Sequence, residues 1–541
     1  MTIKNEIYLF FQDIEYIFIG LYKCIQKHFN FTYFIIAVIH FVATFYTDPL
    51  IFEYTGTDFK KIILIKRLFL VVIVLLWQFA GILIKNYSKS KTIQDLIKFS
   101  GIYFLIILTV HFLVWPFIMG DQMYYIYFAD SVYCFEAPNF QGIVIKYFRI
   151  YALMLIPNLA GIIIMQLLII SLVLGYIMTM LKEYFKLDKA VYFFYIPFLT
   201  PLVLQYNLHM EKDILYSYFF MLLFARLIFV RLKSQTILVD INIINLALIS
   251  SVAASFRSEG ILLLVATPLM FYLLNYKILK LHNMLVFLFF TILFSFIFIP
   301  HYVKTVMIDR DGNAYKNVYI LNDSFKKLLE KAVEDKNKDI LADFNKSDNL
   351  RIQQILKSRI HNVGFYANLS KFDKQQFKVI SRKLMKTYFW EFVKFKFSVF
   401  YDRLRPAYLT RDLNDIKYRI KYAIQHYHLI KKKIVYLNQQ IYSDTIELFK
   451  KYNSNISNSF KNYLPIWYTF IYFSIFTMAV LLKLKRIIIL VCFLVFFLII
   501  QILIVPYQNF RFFFQGYITA YLLFGYILFY LMCKKQAKFK K

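Results

Sequence analysis

Hydrophobic positions in this chain form long runs with few charges, rather than the narrow amphipathic stripes expected of a soluble domain. A helix needs about 20 apolar residues to cross the roughly 30 Å hydrocarbon core of a bilayer. Runs of that kind predict about 12 transmembrane helices, at residues 31–47, 63–84, 101–118, 153–180, 190–206, 213–230, 239–256, 260–276, 283–300, 464–482, 487–505 and 512–533. The pattern therefore predicts an all-α, polytopic membrane protein.

Two segments depart from this pattern. Residues 1–29 alternate Phe, Tyr and Ile with charges at near-helical spacing, which predicts a helix lying along the membrane surface. Residues 301–463 are polar and rich in lysine, with amphipathic helices predicted at 325–333 and 381–393, so we expect a mostly helical extramembrane domain.

The predicted organisation has four parts. Residues 1–100 hold the interfacial helix and two additional transmembrane helices, and residues 101–300 form a transmembrane core with a catalytic first outer loop. Residues 301–463 form the extracytoplasmic domain, and residues 464–541 hold the last transmembrane helices and a basic tail.

The composition supports a membrane protein and changes how the charge is interpreted. Of the 541 residues, 60% are hydrophobic, against about 45–50% in a typical soluble domain. The net charge of +32 would suggest nucleic acid in a soluble protein, but the basic residues flank the hydrophobic runs. Anionic head groups attract basic residues in that position. We therefore predict membrane lipids, and no nucleic acid, as partners.

Basic residues in short loops predict the orientation, because they stay on the cytoplasmic side. Clusters follow every even-numbered span from the second to the tenth, and the C-terminal tail is basic too. These clusters contain Lys85, Lys89, Lys91, Lys98, Lys182, Lys186, Lys189, Arg226, Arg231, Lys233, Lys277, Lys280, Lys483, Lys485 and Arg486. This orientation predicts a cytoplasmic C-terminus and an outer location for residues 301–463. The loop between the first two spans is the exception, with Lys60, Lys61, Lys66 and Arg67 on the predicted outer side.

The outer loop between the third and fourth spans carries the most informative sequence. It reads Trp-Pro-Phe-Ile-Met-Gly-Asp-Gln-Met-Tyr-Tyr from Trp115 to Tyr125. Asp121, Tyr125 and Ala129 recur at i, i+4 and i+8, which places them on one helical face. An amphipathic run at 142–149, ending at Arg149, follows and is suited to the membrane interface.

At these residues the sequence resembles the GT-C superfamily of membrane glycosyltransferases that use polyprenyl-phosphate sugars. In that family an acidic residue follows an early span, often with Tyr at +4 and a small residue at +8. The family's usual second acid is Gln122 here, which disfavours a paired-acid or metal-binding role. Three later outer segments also fit the resemblance: residues 207–213 with Lys212, residues 256–260 with Arg257, and residues 506–512 with Arg511.

The resemblance implies sugar transfer from a polyprenyl-phosphate donor to a glycan, lipid or protein acceptor. A carboxylate can take the proton of an acceptor hydroxyl, and cations stabilise the charge that grows on a leaving phosphate. Asp121 is then the expected base, Lys212, Arg257 and Arg511 the expected phosphate contacts, and Tyr125 a substrate contact. Secondary candidates are Asp130, Glu136, Glu211 and Arg149. No cofactor is expected, and a divalent metal stays open.

Each of these residues also has a structural interpretation. Asp121 could cap the following helix, because Asp is a favoured N-cap residue. Arg257 could pair with Glu259 or extend to lipid head groups, and interface anchoring would explain Lys212 and Arg511. Tyr125 could serve packing alone, while Asp130 and Glu136 could be solvated loop acids.

Three other functions are compatible with the sequence. A transporter or lipid flippase would need ionisable residues near the bilayer midplane and paired repeats. A polysaccharide polymerase or ligase would use arginines of the large outer loop, where Arg403, Arg405 and Arg411 lie. A non-enzymatic assembly scaffold is the third.

The residue bias towards Ile, Lys, Phe, Tyr and Asn is typical of an AT-rich bacterial genome. We therefore expect the protein in the bacterial cytoplasmic (inner) membrane, with the site facing the periplasm or exterior.

Overall fold

The computed structural model describes residues 3–46, 59–113, 143–156, 159–187, 189–209, 212–229, 241–275, 280–298, 324, 327–345, 371–403, 463–504 and 513–539. All regular structure in these residues is helical. The helices are α1 (Ile3–His28), α2 (Phe31–Ala43), α3 (Phe59–Tyr87), α4 (Lys91–Leu113), α5 (Ile143–Leu155), α6 (Leu159–Phe185), α7 (Pro201–Asn207), α8 (Lys212–Phe229), α9 (Ile241–Phe256), α10 (Leu262–Asn275), α11 (Leu281–Phe298), α12 (Lys338–Asn345), α13 (Lys371–Thr387), α14 (Phe389–Arg403), α15 (Tyr463–Leu481), α16 (Lys485–Ile504) and α17 (Phe514–Phe539). The all-α prediction is confirmed for this part of the chain.

Five of the described helices are long and apolar enough to cross a membrane, so the protein is membrane-embedded. They are the apolar stretches Ile62–Tyr87, Lys91–Leu113, Gly161–Phe185, Lys485–Ile504 and Phe514–Lys535. Shorter apolar helices occupy six further predicted spans. The count of twelve crossings therefore stays a prediction.

The predicted fifth span is not one continuous α-helix. Residues Ala190–Leu199 form a 3-10 helix, and Thr200 then turns to an extended conformation before Pro201 begins α7. Proline lacks a backbone N–H and fits the first turn of a helix but not its interior. Pro197 and Pro201 thus account for the interruption.

The four basic residues predicted in the loop between the first two spans lie within α3, which begins at Phe59, and their outer location stays a prediction. Lys66 is buried, and its Nζ donates to Oγ1 of Thr44 at 2.8 Å. The same ammonium lies 4.0 Å from the ring centre of Phe45. The hydroxyl and the ring face offset part of the cost of burying this charge. Lys66 is therefore part of the α2–α3 packing.

Two predicted helix boundaries also move. The predicted fourth span begins at α6, since residues up to Leu155 belong to the separate helix α5. A side chain at Gly161 would collide with the carbonyl oxygen of Ile156, so glycine permits this tight connection. In the large polar region, the predicted helix at 381–393 is divided at Tyr388 between α13 and α14.

The predicted basic loops converge at one end of the bundle, which we call the basic end. Lys182 bonds both carboxylate oxygens of Asp95, at 2.8 and 2.7 Å, and links α6 to α4. Arg226 donates to the Tyr176 hydroxyl and the Asn242 side chain. Arg486 donates to the carbonyl oxygen of Ile228 and to Asn275 Oδ1, each at 3.2 Å. The described ends of four even-numbered predicted spans, the fourth to the tenth, therefore lie together, beside the start of α4.

The N-terminal helix α1 packs on α11. Glu6 Oε2 accepts a hydrogen bond from the His282 backbone N–H at 2.9 Å and lies 3.0 Å from His282 Nδ1. Asp13 lies on the other side of the ring, 3.7 Å from Nε2. Further along, Phe10 meets Phe289 edge to face. A buried charge cluster and an aromatic contact therefore hold α1 against the bundle.

Candidate functional site

Arg257 and Asp213 form a buried ion pair at the end of the bundle opposite the basic end. Arg257 directly follows α9, whose start lies beside Arg226, and Asp213 is in the first turn of α8, whose other end carries Arg226. Arg257 Nη1 lies 3.2 Å from Asp213 Oδ1, and the two side chains are 3% and 6% exposed. The guanidinium also lies over the Tyr216 ring, 5.6 Å from its centre. We call this region the Arg257 end.

The connection that leads to Asp213 is fixed from within the bundle. Gln166 of α6 donates its amide to the carbonyl oxygens of Asn207 and His209, at 3.0 and 2.6 Å. The Asn207 amide donates in turn to the hydroxyls of Tyr103 and Tyr218, each at 2.9 Å. Buried polar groups that are hydrogen-bonded in this way specify one backbone path.

Three sequence-predicted site residues are described, and two of them come close together. Lys212 is half-buried and adjoins Asp213, so it shares the first turn of α8 with the partner of Arg257. Arg149 is buried in α5, and α5 packs against α6 and α9. Arg257 pairs with Asp213, whereas the side chain of its other expected partner, Glu259, lies outside the described ones.

The remaining predicted residues, Asp121, Tyr125, Asp130, Glu136, Glu211 and Arg511, lie outside the described residues. The chain just after Arg511 does reach the Arg257 end. Phe514 stacks on Tyr206, with ring centres 5.2 Å apart, and Tyr468 donates its hydroxyl to the Phe513 carbonyl at 2.8 Å.

Helix α14 of the large polar region lies at this same end. Its Phe400 is buried, with its ring centre 5.1 Å from that of Phe513 and 6.2 Å from that of Tyr468. The described part of residues 301–463 is thus anchored to the bundle through α14. Helix α14 contacts Tyr468 and Thr469 near the start of α15, and Phe513 just before α17.

Sequence reasoning missed Asp213, Gln166 and Tyr216. Asp213 adjoins Lys212 at a predicted helix start, where an acid is ordinarily explained by the helix dipole. Gln166 is a polar residue inside an apolar span, and such residues commonly mark internal contacts or functional sites. That signal was available in the sequence. No group of three or more His, Cys, Asp or Glu side chains among the described residues is arranged to hold a metal ion.

Comparison with known proteins gives no match of any kind: no family model fits the chain, and no curated protein or solved structure is significantly similar to it.

Proposed function

We propose that the protein is a GT-C-type membrane glycosyltransferase that moves a sugar from a polyprenyl-phosphate donor to an acceptor hydroxyl. In the proposal about twelve helices cross the bacterial inner membrane, and the Arg257 end faces the periplasm or exterior. Bond breaking separates C1 of the sugar from the donor phosphate oxygen, and a new bond joins C1 to the acceptor oxygen. Asp121 takes the acceptor proton, and the polyprenyl phosphate leaves with both electrons of the broken bond.

The observation that carries the proposal is the meeting of Arg257 with the first turn of α8. Lys212 and Arg257, the two described cations that the resemblance proposes as phosphate contacts, lie at one end because Lys212 adjoins Asp213 and Arg257 pairs with it. Together the three side chains carry a net charge of +1. A guanidinium has five N–H donors, so contact with a carboxylate is compatible with binding an anion as well. Phe513 and Phe514, which follow Arg511 by two and three residues in the sequence, pack at the same end.

The polarity of the bundle is also consistent with this function. Lys182, Arg226 and Arg486 gather at the opposite end, as expected for a cytoplasmic side. Lipid-borne substrates present their phosphate at the membrane surface rather than in the hydrocarbon. In the proposal the half-buried Lys212 meets that phosphate first, and Arg257, buried beside it, adds positive potential in a setting where electrostatic interactions are strong.

The direct test is a transfer assay with the full chain in proteoliposomes and labelled polyprenyl-phosphate hexose and pentose donors. The proposal expects label in an acceptor together with an equal amount of free polyprenyl phosphate. Intact donor that crosses the bilayer without cleavage would instead establish a flippase. Absence of both cleavage and donor binding across the donor panel would reject the proposal.

A further inference from the structure

Helix α14 has two faces with different neighbours. Phe392, Lys396, Val399 and Phe400 are buried on one face, where Phe400 contacts Phe513 and Tyr468 of the bundle. Trp390, Lys394 and Tyr401 occur at i, i+4 and i+11, which places them together on the other face. Trp390 is 72% exposed and Tyr401 is 43% exposed. A tryptophan side chain exposed to this extent is unusual on a helix whose opposite face packs against the bundle.

This exposed face is continuous with the outward face of α15. The Tyr401 hydroxyl lies 3.1 Å from Oγ1 of Thr469, an exposed residue of α15. The next exposed residues along α15 are Phe470 and Phe473, each 68% exposed, on an apolar helix of the membrane-embedded bundle. On a membrane-embedded bundle, large apolar side chains that are exposed in this way are expected to face lipid. The α14 stripe therefore extends a lipid-facing surface past the end of the bundle.

The charge beside this stripe selects the kind of lipid. On α13 and α14 the exposed side chains Arg382, Lys383, Lys386 and Lys394 are basic, and Glu391 is acidic. Lys394 pairs with Glu391 at 3.0 Å, and Lys383 pairs with Asp343. Arg382 and Lys386 add positive charge one to two turns before Trp390. Tryptophan and tyrosine beside basic residues are characteristic of helices at the membrane interface.

We propose that α14 is an interfacial anchor whose Trp390–Lys394–Tyr401 face is seated in an anionic phospholipid surface, at the leaflet of the Arg257 end. The bilayer then holds one face of α14 while Phe400 holds the other against Phe513 and Tyr468. The anchor fixes the large polar region over the Arg257 end. It does not depend on the glycosyl-transfer proposal, since it requires only that the bundle is membrane-embedded.

The test is spin-label accessibility in the full chain, with the four natural cysteines replaced by serine and the protein in lipid nanodiscs. Nitroxides are placed at Trp390 and Tyr401, and at Glu334 as a matched control on an exposed helical position of the same region. Oxygen concentrates in lipid, whereas a nickel chelate stays in water. In phosphatidylcholine with phosphatidylglycerol, labels at 390 and 401 should favour collisions with oxygen. The label at 334 should favour the nickel chelate.

A second variant tests the charge. Arg382→Glu with Lys386→Glu should leave the helix folded but move the 390 label towards water in the anionic nanodiscs. Preference for the nickel chelate at all three positions would overturn the anchor. An equal immersion depth of the label at position 390 in nanodiscs with and without phosphatidylglycerol would overturn the requirement for anionic lipid. Dipolar broadening between labels of two chains would assign the face to a second copy and also overturn it.

Discussion

The Nη1 of Arg257 lies 3.2 Å from Oδ1 of Asp213, which joins the residue after α9 to the first turn of α8 across 43 intervening residues. Both side chains are nearly inaccessible to solvent. Removing one partner of a buried pair leaves an uncompensated charge and typically costs about 3–5 kcal/mol, whereas replacing both can be neutral. The pair is therefore a structural element whatever else it does, and single substitutions at Arg257 confound folding with function.

A double substitution separates the two roles. Arg257→Ala alone should lower both thermal stability and transfer activity. Arg257→Gln with Asp213→Asn replaces both charges by neutral hydrogen-bonding groups of similar size and should recover most of the stability. If the guanidinium binds the donor phosphate, the double variant should still lose transfer by about 100-fold or more, the scale of losing one key electrostatic contact. Melting temperature and transfer rate in the same proteoliposomes provide the two readouts. Recovery of both together would make the pair purely structural.

How far the sequence predicts this site depends on which contacts are local. Lys212 and Arg257 could be chosen because each follows a recognisable end of an apolar run. The contact of Arg257 with Asp213 could not be predicted, because it depends on how α8 packs against α9. No pattern in a single sequence records a contact between residues 44 positions apart. Gln166 is an intermediate case, since its burial was readable but its two carbonyl partners were not.

The fold shows the same division. Long apolar runs gave the helices, and the alternation of basic loops agrees with the contacts of Lys182, Arg226 and Arg486 at one end. The interruption near Thr200 was also legible from two prolines. The burial of Lys66 could not be predicted, because a lysine near the start of a helix is ordinarily exposed. Its burial depends on Thr44 and the Phe45 ring of the neighbouring helix segment.

The contact between Glu6 and His282 predicts a pH-dependent docking of α1. Hydrogen bonds from His282 hold the pKa of Glu6 below its ordinary value. A carboxyl group with a depressed pKa stabilises the docked state above its ordinary pKa, and this contribution is lost as pH falls through the depressed value. Asp13 and Lys280 also act on this cluster. We expect docking to persist from pH 7 to about 5 and to weaken below about 4.

Double electron–electron resonance can follow the undocking of α1 from α11. It would measure the distance between nitroxides at the exposed positions Phe18 and Phe296. Glu6→Gln should broaden the distance distribution already at pH 7, because a hydrogen bond to a charged group is worth about 1.5–3 kcal/mol. Glu15→Gln, an exposed position on the same helix, is the matched control and should leave the distribution unchanged. A narrow distribution for Glu6→Gln at neutral pH would show that the aromatic contacts alone hold α1.

Cysteine labelling tests which side of the membrane each end occupies. In a cysteine-free background, a cysteine at Glu334 should react with an impermeant maleimide in intact cells. One at Lys534 should react only after the membrane is permeabilised, because the basic end is expected in the cytoplasm. Both positions are exposed. The reversed pattern would place the Arg257 end in the cytoplasm and remove the basis for periplasmic sugar transfer.

The proposed base, Asp121, makes the last and most discriminating prediction. A capping aspartate and a catalytic one differ in what asparagine can replace. Asn caps a helix about as well as Asp, and even a lost N-cap costs only about 1 kcal/mol. Loss of a general base typically slows a reaction by about 10²–10⁴-fold, and an amide cannot accept the proton. The Asp121→Asn variant should therefore be produced and inserted normally and should bind the donor as the wild type does. Its rate of sugar transfer should fall by at least about 100-fold.

The matched controls for Asp121→Asn are Asp130→Asn and Glu136→Gln, which remove a carboxylate from the same predicted loop. We expect both to keep transfer near the wild-type rate, because a solvated loop acid contributes little to the reaction. Single-turnover measurement with labelled donor separates the chemical step from product release. Full activity in Asp121→Asn would assign this residue to helix capping. A large loss in one of the two control variants instead would transfer the role of base to that acid.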